Sequence, residues 1–312
     1  MIVGIDVSKE WLDLAVSGPQ GELRRIENKP AAIATWLAEA QPGGLHLIAF
    51  EPTGSYENAL VAALRAADVL HVRVHPNDVL AFRRSRGIKA KTDKIDARLI
   101  AAFAAEELTR RGLHPVIAGN PTLRELAARR RQLVDLLQGE RCRLALATAG
   151  SVHTSLEVMI LALETSLRTI EAELNTLIAA DPATAQMAAL LQSVKGIGPV
   201  TAMTLMADVA ELGHLSGKEI AALIGLAPIT RESGKTRYRA KTGHGRPGVR
   251  RVLFNAARCA IRHNPVMRDF YQRLVTQNKR PGKVALIAVM RKMLVTLNAI
   301  ARDKQPWKHA GT

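Results

Sequence analysis

The 312-residue chain is poor in cysteine, aromatics and long apolar runs. Its two cysteines, Cys142 and Cys259, fit no zinc or disulfide spacing and read as structural thiols. Aromatics make up only 4%, too few for extensive base stacking, so any nucleic acid would be gripped mainly by its backbone. No uninterrupted apolar run approaches about 20 residues and no signal peptide opens the chain, which predicts a soluble, intracellular protein without a membrane partner. Acidic residues are the scarcer charge, 28 against 44 basic ones, for a net charge of +16.

That surplus is concentrated. Arg231 to Arg302 contains 18 basic residues and only Glu232 and Asp269 as acids, so this stretch holds the whole +16 while the remainder is neutral. A C-terminal region of this kind points to a polyanion partner.

Residues 1–110 read as mixed α/β. Ile2–Val7, Trp11–Val16 and Glu22–Glu27 have the look of consecutive strands, followed by a helix near Pro30–Glu39 and a strand ending in Glu51. A helix near Tyr56–Ala67, a strand Val69–Val74 and a helix from Thr92 to Glu107 complete the pattern. Three strands followed by alternating helix and strand is the order of the ribonuclease H-like fold. There the first and fourth strands are neighbours, which would bring Asp6 to Glu51, with the last helix laying Asp93 and Asp96 over them.

Those four acids carry the chemistry. Asp6 interrupts the apolar run Ile2-Val3-Gly4-Ile5-Asp6-Val7, and Glu51 ends Leu47-Ile48-Ala49-Phe50. A charge costs several kcal/mol to bury unpaired, so carboxylates at core strand positions call for a cation. Asp93 and Asp96 are three apart at a helix start and share a face. Oxygen-only ligands from separate segments suit a hard divalent ion, Mg²⁺ above all. Such a cluster can clamp a scissile phosphate. The bland alternative, a first-turn Asp pair compensated by Lys94 and Arg98, explains the helix acids but not Asp6 or Glu51. The basic segment Arg83-Arg84-Ser85-Arg86-Gly87-Ile88-Lys89-Ala90-Lys91 reads as a loop running into this site, its cations placed for a nucleic-acid backbone.

Residues 120–180 are helical throughout. Leu156, Ile160, Leu163, Leu167, Ile170, Leu174 and Leu177 form a heptad seam, which fits an antiparallel hairpin within one chain and a dimerising coiled coil equally well. Asp181-Pro182 marks a boundary before a mainly helical domain spanning 185–305. Its Gly196-Ile197-Gly198-Pro199 has the layout of a helix-hairpin-helix unit, with Gly196 and Gly198 allowing phosphate to approach a helix start. A plain αα-corner is the alternative. Further on, Ser233-Gly234-Lys235 lies among Arg231, Arg237, Arg239 and Lys241. Cations of this kind would stabilise charge on a phosphate under attack, although Ser-Gly is also a routine turn dipeptide. Tyr238 is a competing nucleophile, and His244 is a base candidate only by proximity in the chain. Arg246, Arg250 and Arg251 lead into a helix over Val252–His263 and add phosphate-binding candidates.

Taken together, Gly4-Ile5-Asp6-Val7-Ser8-Lys9, Glu51-Pro52-Thr53-Gly54, Lys91-Thr92-Asp93-Lys94-Ile95-Asp96-Ala97, Gly225-Leu226-Ala227-Pro228 and Ser233-Gly234-Lys235 resemble the DEDD transposases of bacterial insertion sequences. That family comprises bridge-RNA-guided serine recombinases, and the resemblance covers nearly the whole chain. It implies a RuvC-like domain over 1–110, a coiled-coil segment over 120–180 and a transposase domain over 185–305. It further implies that Asp6, Glu51, Asp93 and Asp96 hold Mg²⁺ and that Ser233 attacks DNA to form a phosphoserine link. A structured bridge RNA would select donor and target DNA, and a dimer or tetramer would let one subunit's metal site complete another's serine site. The implied setting is the bacterial cytoplasm, close to the nucleoid. One departure is that some relatives carry two adjacent serines before the glycine, whereas Glu232 precedes Ser233 here. An acid at that place opposes attack on a phosphate. A nuclease or junction resolvase using the four carboxylates alone is the alternative function.

Overall fold

The computed structural model describes residues 1–312 apart from 19–20, 55, 89–91, 111–118, 234–235, 244 and 309–312, and apart from the side chains of 107–109 and 230–241. The described chain divides into two units, Met1–Val116 and Ile117–Thr312.

In the first unit the apolar runs become β1 (Ile2–Val7), β2 (Trp11–Val16) and β3 (Leu23–Glu27), then helix α1 (Pro30–Ala40) and β4 (Leu47–Phe50). Helix α2 (Asn58–Ala66), β5 (His71–Arg73), α3 (Pro76–Ser85) and α4 (Asp93–Arg110) follow. The sheet order is β3-β2-β1-β4-β5, with β1, β4 and β5 parallel and β2 antiparallel to both its neighbours. This is the ribonuclease H-like, RuvC-like topology that the sequence predicts.

Strand alternation sorts the side chains onto two faces. Val3, Ile5, Val7, Leu12, Leu14, Ile48 and Phe50 pack with Ile33, Trp36 and Leu37 of α1 and Leu60 and Leu64 of α2. Leu47, Ala49 and Val72 point the other way, against Val79 of α3 and Leu99, Ile100 and Phe103 of α4. Gly4 belongs to this second face. A Cβ there would lie 2.2 Å from the Ala101 nitrogen and 2.4 Å from the Ala97 oxygen. The missing side chain lets α4 press directly onto β1.

Helix α3 corrects the sequence reading, which takes Arg83, Arg84 and Arg86 as loop residues. Arg83 and Arg84 form the last turn of a helix, and Arg86 is its C-cap.

In the second unit, α5 (Pro121–Leu144) and α6 (Gly150–Ala180) form an antiparallel hairpin clasped by ion pairs Arg130–Glu171 and Arg141–Glu164, each 2.7 Å. The heptad seam faces α5. Leu174 is fully buried, and Leu156, Ile160, Leu163, Leu167, Ile170 and Leu177 are half-buried. Helices α7 (Pro182–Gln192), α8 (Pro199–Asp208) and α9 (Gly217–Ile224) follow. Then come β6 (Ile229–Ser233), β7 (Thr236–Lys241), α10 (Pro247–His263), α11 (Pro265–Thr276) and α12 (Gly282–Asp303). Helix α12 is long and apolar enough to cross a membrane by composition, yet Val289, Met293, Leu294 and Leu297 are wholly buried at the centre of this helical core. The β6–β7 ribbon is an addition that the mainly helical reading does not foresee.

Candidate metal centre and nucleic-acid surfaces

Register gathers the acids. Gly4 of β1 pairs with Ala49 of β4 and Ile5 with Phe50, so the next step along both parallel strands sets Asp6 beside Glu51. Asp6 points to the face that carries α4, and the Glu51 charge is near enough to act on it. The close approach at Gly4 lowers the N-terminal turn of α4, with Asp93 and Asp96, over the same spot. Asp6 registers the crowding. Burial first, then the charges of Asp96, Asp93, Asp13 and Glu51, push its carboxyl up to about 6 from an ordinary 3.8.

Asp13 is an acid that the sequence reading overlooks. It stands directly opposite Asp6 on β2 and is 4% exposed. Its signal was there to be read, because Trp11-Leu12-Asp13-Leu14-Ala15-Val16 interrupts an apolar strand just as Asp6 does. What resolves its charge is Arg25, its partner in register on β3. Arg25 Nε donates to Asp13 Oδ1 at 2.9 Å and a terminal nitrogen donates to Oδ2 at 2.7 Å, a bidentate pair. The same terminal nitrogen donates to Asp93 Oδ2 at 2.9 Å. On the other side of the helix start, Arg83 stands 3.9 Å from Asp96 and donates to the Ile88 carbonyl. The loop beyond Glu51 is fixed by buried Glu57, which accepts from the Thr53 N–H at 3.3 Å and faces Arg73 at 3.8 Å.

As these side chains stand, with Arg25 and Arg83 engaging the first-turn acids, no three acidic, histidine or cysteine groups among the described residues are close enough to share an ion. The donor chemistry nevertheless fits one. The cluster is all oxygen, it comes from three segments, and its mutual repulsion is what a divalent cation relieves.

The other candidates lie in the second unit. Gly196 has φ +108, and a Cβ on it would meet Ala260 of α10 at 2.7 Å, so backbone conformation and close helix packing both call for glycine there. Gly198, N-cap of α8, faces open space. Ser233 is the last paired residue of β6, opposite Thr236, at the tip of the ribbon. Its side chain, with those of Arg237, Tyr238, Arg239 and Lys241, lies outside the described residues, as do Lys89, Lys91, Lys235 and His244 altogether. Three of the predicted phosphate-binding arginines have internal partners. Arg246 grips Glu211 through two bonds of 2.5 and 2.7 Å and the Asp208 carbonyl at 2.6 Å. Arg250 donates to the Ile224 carbonyl, and Arg251 pairs with Asp135 at 2.8 Å. In the first unit, Arg86 pairs with Glu106 and lies over the Phe82 ring. The exposed cations of the second unit include Arg251 itself, beside Asp135, with Arg258 and Arg262 on α10, Arg268 and Arg273 on α11, and Arg280 and Lys283.

A ribonuclease H-like sheet that brings Asp6 toward the start of α4, followed by a basic helical unit, is the arrangement that the resemblance to DEDD transposases implies. Comparison with known proteins agrees. A transposase model of the DEDD type, of the IS110 group, matches residues 3–147, and the model "Transposase IS116/IS110/IS902 family" matches residues 188–272. The chain belongs to this family and is a DNA transposase or recombinase by membership. A pilin gene-inverting protein of Moraxella bovis is 28% identical over 84% of this chain and 82% of its own length, and its Moraxella lacunata counterpart matches equally. An insertion element IS110 protein of Streptomyces coelicolor is 27% identical over 59% of this chain and half of its own. RuvC from T. thermophilus, solved with a Holliday junction substrate, aligns over 37% of this chain and 99% of that one at 16% identity, with a TM-score of 0.27.

Proposed function

We propose that the chain cleaves and rejoins the DNA of an insertion sequence with a Mg²⁺-dependent carboxylate cluster and a serine nucleophile, at sites chosen by a structured bridge RNA. The supporting observation is the meeting of Asp6, Glu51 and the start of α4 on one sheet face, with Asp6 raised to about 6 by its surroundings. Asp6, Glu51, Asp93 and Asp96 are the residues that would hold Mg²⁺, which supplies a Lewis acid for the scissile phosphate. Ser233 would give up its hydroxyl proton as its oxygen bonds to phosphorus, the P–O bond to the sugar would break, and the sugar oxygen would leave as a hydroxyl on taking up a proton. The tip of a ribbon suits a nucleophile that has to reach into a duplex. Rejoining is the same exchange with a new sugar hydroxyl as the attacker. The exposed basic residues of α10 and α11 offer a phosphate-binding surface. The inversion proteins of Moraxella, as named, act on a gene's orientation, which agrees with strand exchange as the outcome here. Assembly as a dimer or tetramer, aided by the α5–α6 hairpin, would bring one subunit's carboxylates to another's serine.

The test is direct. The chain is incubated with DNA carrying the element's ends, the element's non-coding RNA and Mg²⁺, and protein–DNA adducts are resolved under denaturing conditions. Adducts should form with the native chain and vanish in Ser233→Ala. Adducts that persist in that variant would remove the serine from the mechanism. Free cleavage products without adducts would favour hydrolysis by the carboxylates alone, and wild-type yield without added RNA would remove the guide.

A further inference from the structure

We infer that Arg25, anchored by buried Asp13, is a positioning residue that fixes the first turn of α4 and so sets the metal-binding carboxylates Asp93 and Asp96; this rests on the metal reading of the site given above. Three strands contribute in register. Asp6, Asp13 and Arg25 are successive cross-strand partners on β1, β2 and β3, and all three face α4. Two flexible charged groups on a surface would hold nothing firmly. Here, however, one partner is nearly sealed from solvent. Asp13 is 4% exposed and takes both teeth of the Arg25 fork, at 2.9 and 2.7 Å. The planar guanidinium is thereby set in direction as well as place.

What it points at is Asp93, the first residue of α4, at 2.9 Å. The turn is otherwise closed by Thr92, whose carbonyl accepts from the Asp96 N–H at 2.9 Å and whose hydroxyl accepts from the Ile95 N–H at 3.3 Å. Arg25 is therefore a polar link that ties this turn to the sheet carrying Asp6, beside the close packing at Gly4. A partner of that kind behind a metal ligand sets the ligand's direction, and its loss commonly costs about 10- to 100-fold in metal affinity.

Removing Arg25 alone would leave a buried carboxylate unpaired, so the informative variant replaces both partners. Asp13→Asn with Arg25→Gln keeps the net charge and leaves neutral amides able to bond each other. The dissociation constant for Mn²⁺ is measured by titration calorimetry on the full chain, and amide hydrogen exchange is followed over Asp93–Ala97. The expected result is affinity weaker by about tenfold, faster exchange in that turn, and unchanged exchange elsewhere in the sheet. Arg25→Lys, which keeps the charge but loses the fork, should recover part of the affinity. Arg24→Gln, whose partner Glu39 lies on α1, should bind Mn²⁺ like the native chain.

Native affinity in the double variant would overturn the inference. If that variant fails to fold, Arg25→Lys decides, with weaker binding in a folded chain supporting the role and native binding refuting it. If the native chain itself takes up no Mn²⁺, the metal reading fails, and exchange over Asp93–Ala97 still decides the positioning role.

Discussion

Asp6 and Asp13 stand directly opposite each other on β1 and β2. Like charges in register on neighbouring strands repel. Arg25 neutralises Asp13, and the residual cost falls on Asp6, whose carboxyl is raised to about 6 by burial and by four surrounding acids.

The sign of the resulting pH dependence follows. A carboxyl raised from 3.8 to about 6 binds its proton more tightly in the folded chain than in the unfolded one. The advantage is present in acid and is lost as pH climbs through about 4 to 6. The metal-free chain should therefore lose stability over that window. Asp6→Asn should remove that part of the slope and raise stability at pH 7 by roughly 1 kcal/mol, after allowance for solvent screening of a half-buried group. Thermal melts in a chelator at pH 4.5 and 7 check this. An Asn variant less stable than the native chain at pH 7 would contradict it.

Glycines separate packing from phosphate contact. Gly4→Ala forces a methyl into the α4 backbone and should cost roughly 1–3 kcal/mol or more, read as a lower melting temperature. Gly196→Ala should behave similarly, because it meets Ala260 and needs a positive φ. Gly198→Ala has open space and should cost at most about 1 kcal/mol, the loss of a favoured N-cap residue. If a phosphate approaches there, that variant loses DNA affinity well beyond what its small loss of stability explains.

Arginines divide the same way. Arg258→Gln and Arg262→Gln alter exposed residues four apart on α10. Each should weaken DNA binding irrespective of sequence and lower the slope of log K against log salt by about 1. Arg246→Gln breaks contacts to Glu211 and to the Asp208 carbonyl and should lower the melting temperature first. An unchanged salt slope for Arg258→Gln and Arg262→Gln would remove α10 from the binding surface.

Much of this was legible in the chain itself. Short apolar runs revealed β1, β2 and β4, and an acid inside or ending such a run is conspicuous, which is why Asp6 and Glu51 could be paired across the sheet. Asp13 carried the same signal, but its meaning depends on Arg25, and only register shows that the two are opposite. Helix α3 escaped because its N-cap is His75, whose ring nitrogen accepts from the Asn77 N–H, instead of the usual Ser, Thr, Asp or Asn. Among its residues only Val79 is buried. The ribbon β6–β7 escaped because Arg and Lys occupy positions where strands normally show apolar residues. The heptad seam was recognised, and its Ile170, Leu174 and Leu177 pack with Leu123 and Ala127 of α5 in the same chain. The internal partners of Arg246, Arg250 and Arg251 were hidden for the same reason as Arg25: a basic residue's partner is a matter of three dimensions.

The account depends most on Asp6, Glu51 and the α4 acids sharing a cation, and diffraction at the manganese edge from crystals soaked in Mn²⁺ tests that directly. An anomalous peak bounded by Asp6, Glu51 and Asp96 or Asp93, absent in Asp6→Asn, is the predicted result. Ordered metal elsewhere, or none beside Asp6 at saturating Mn²⁺, would contradict it.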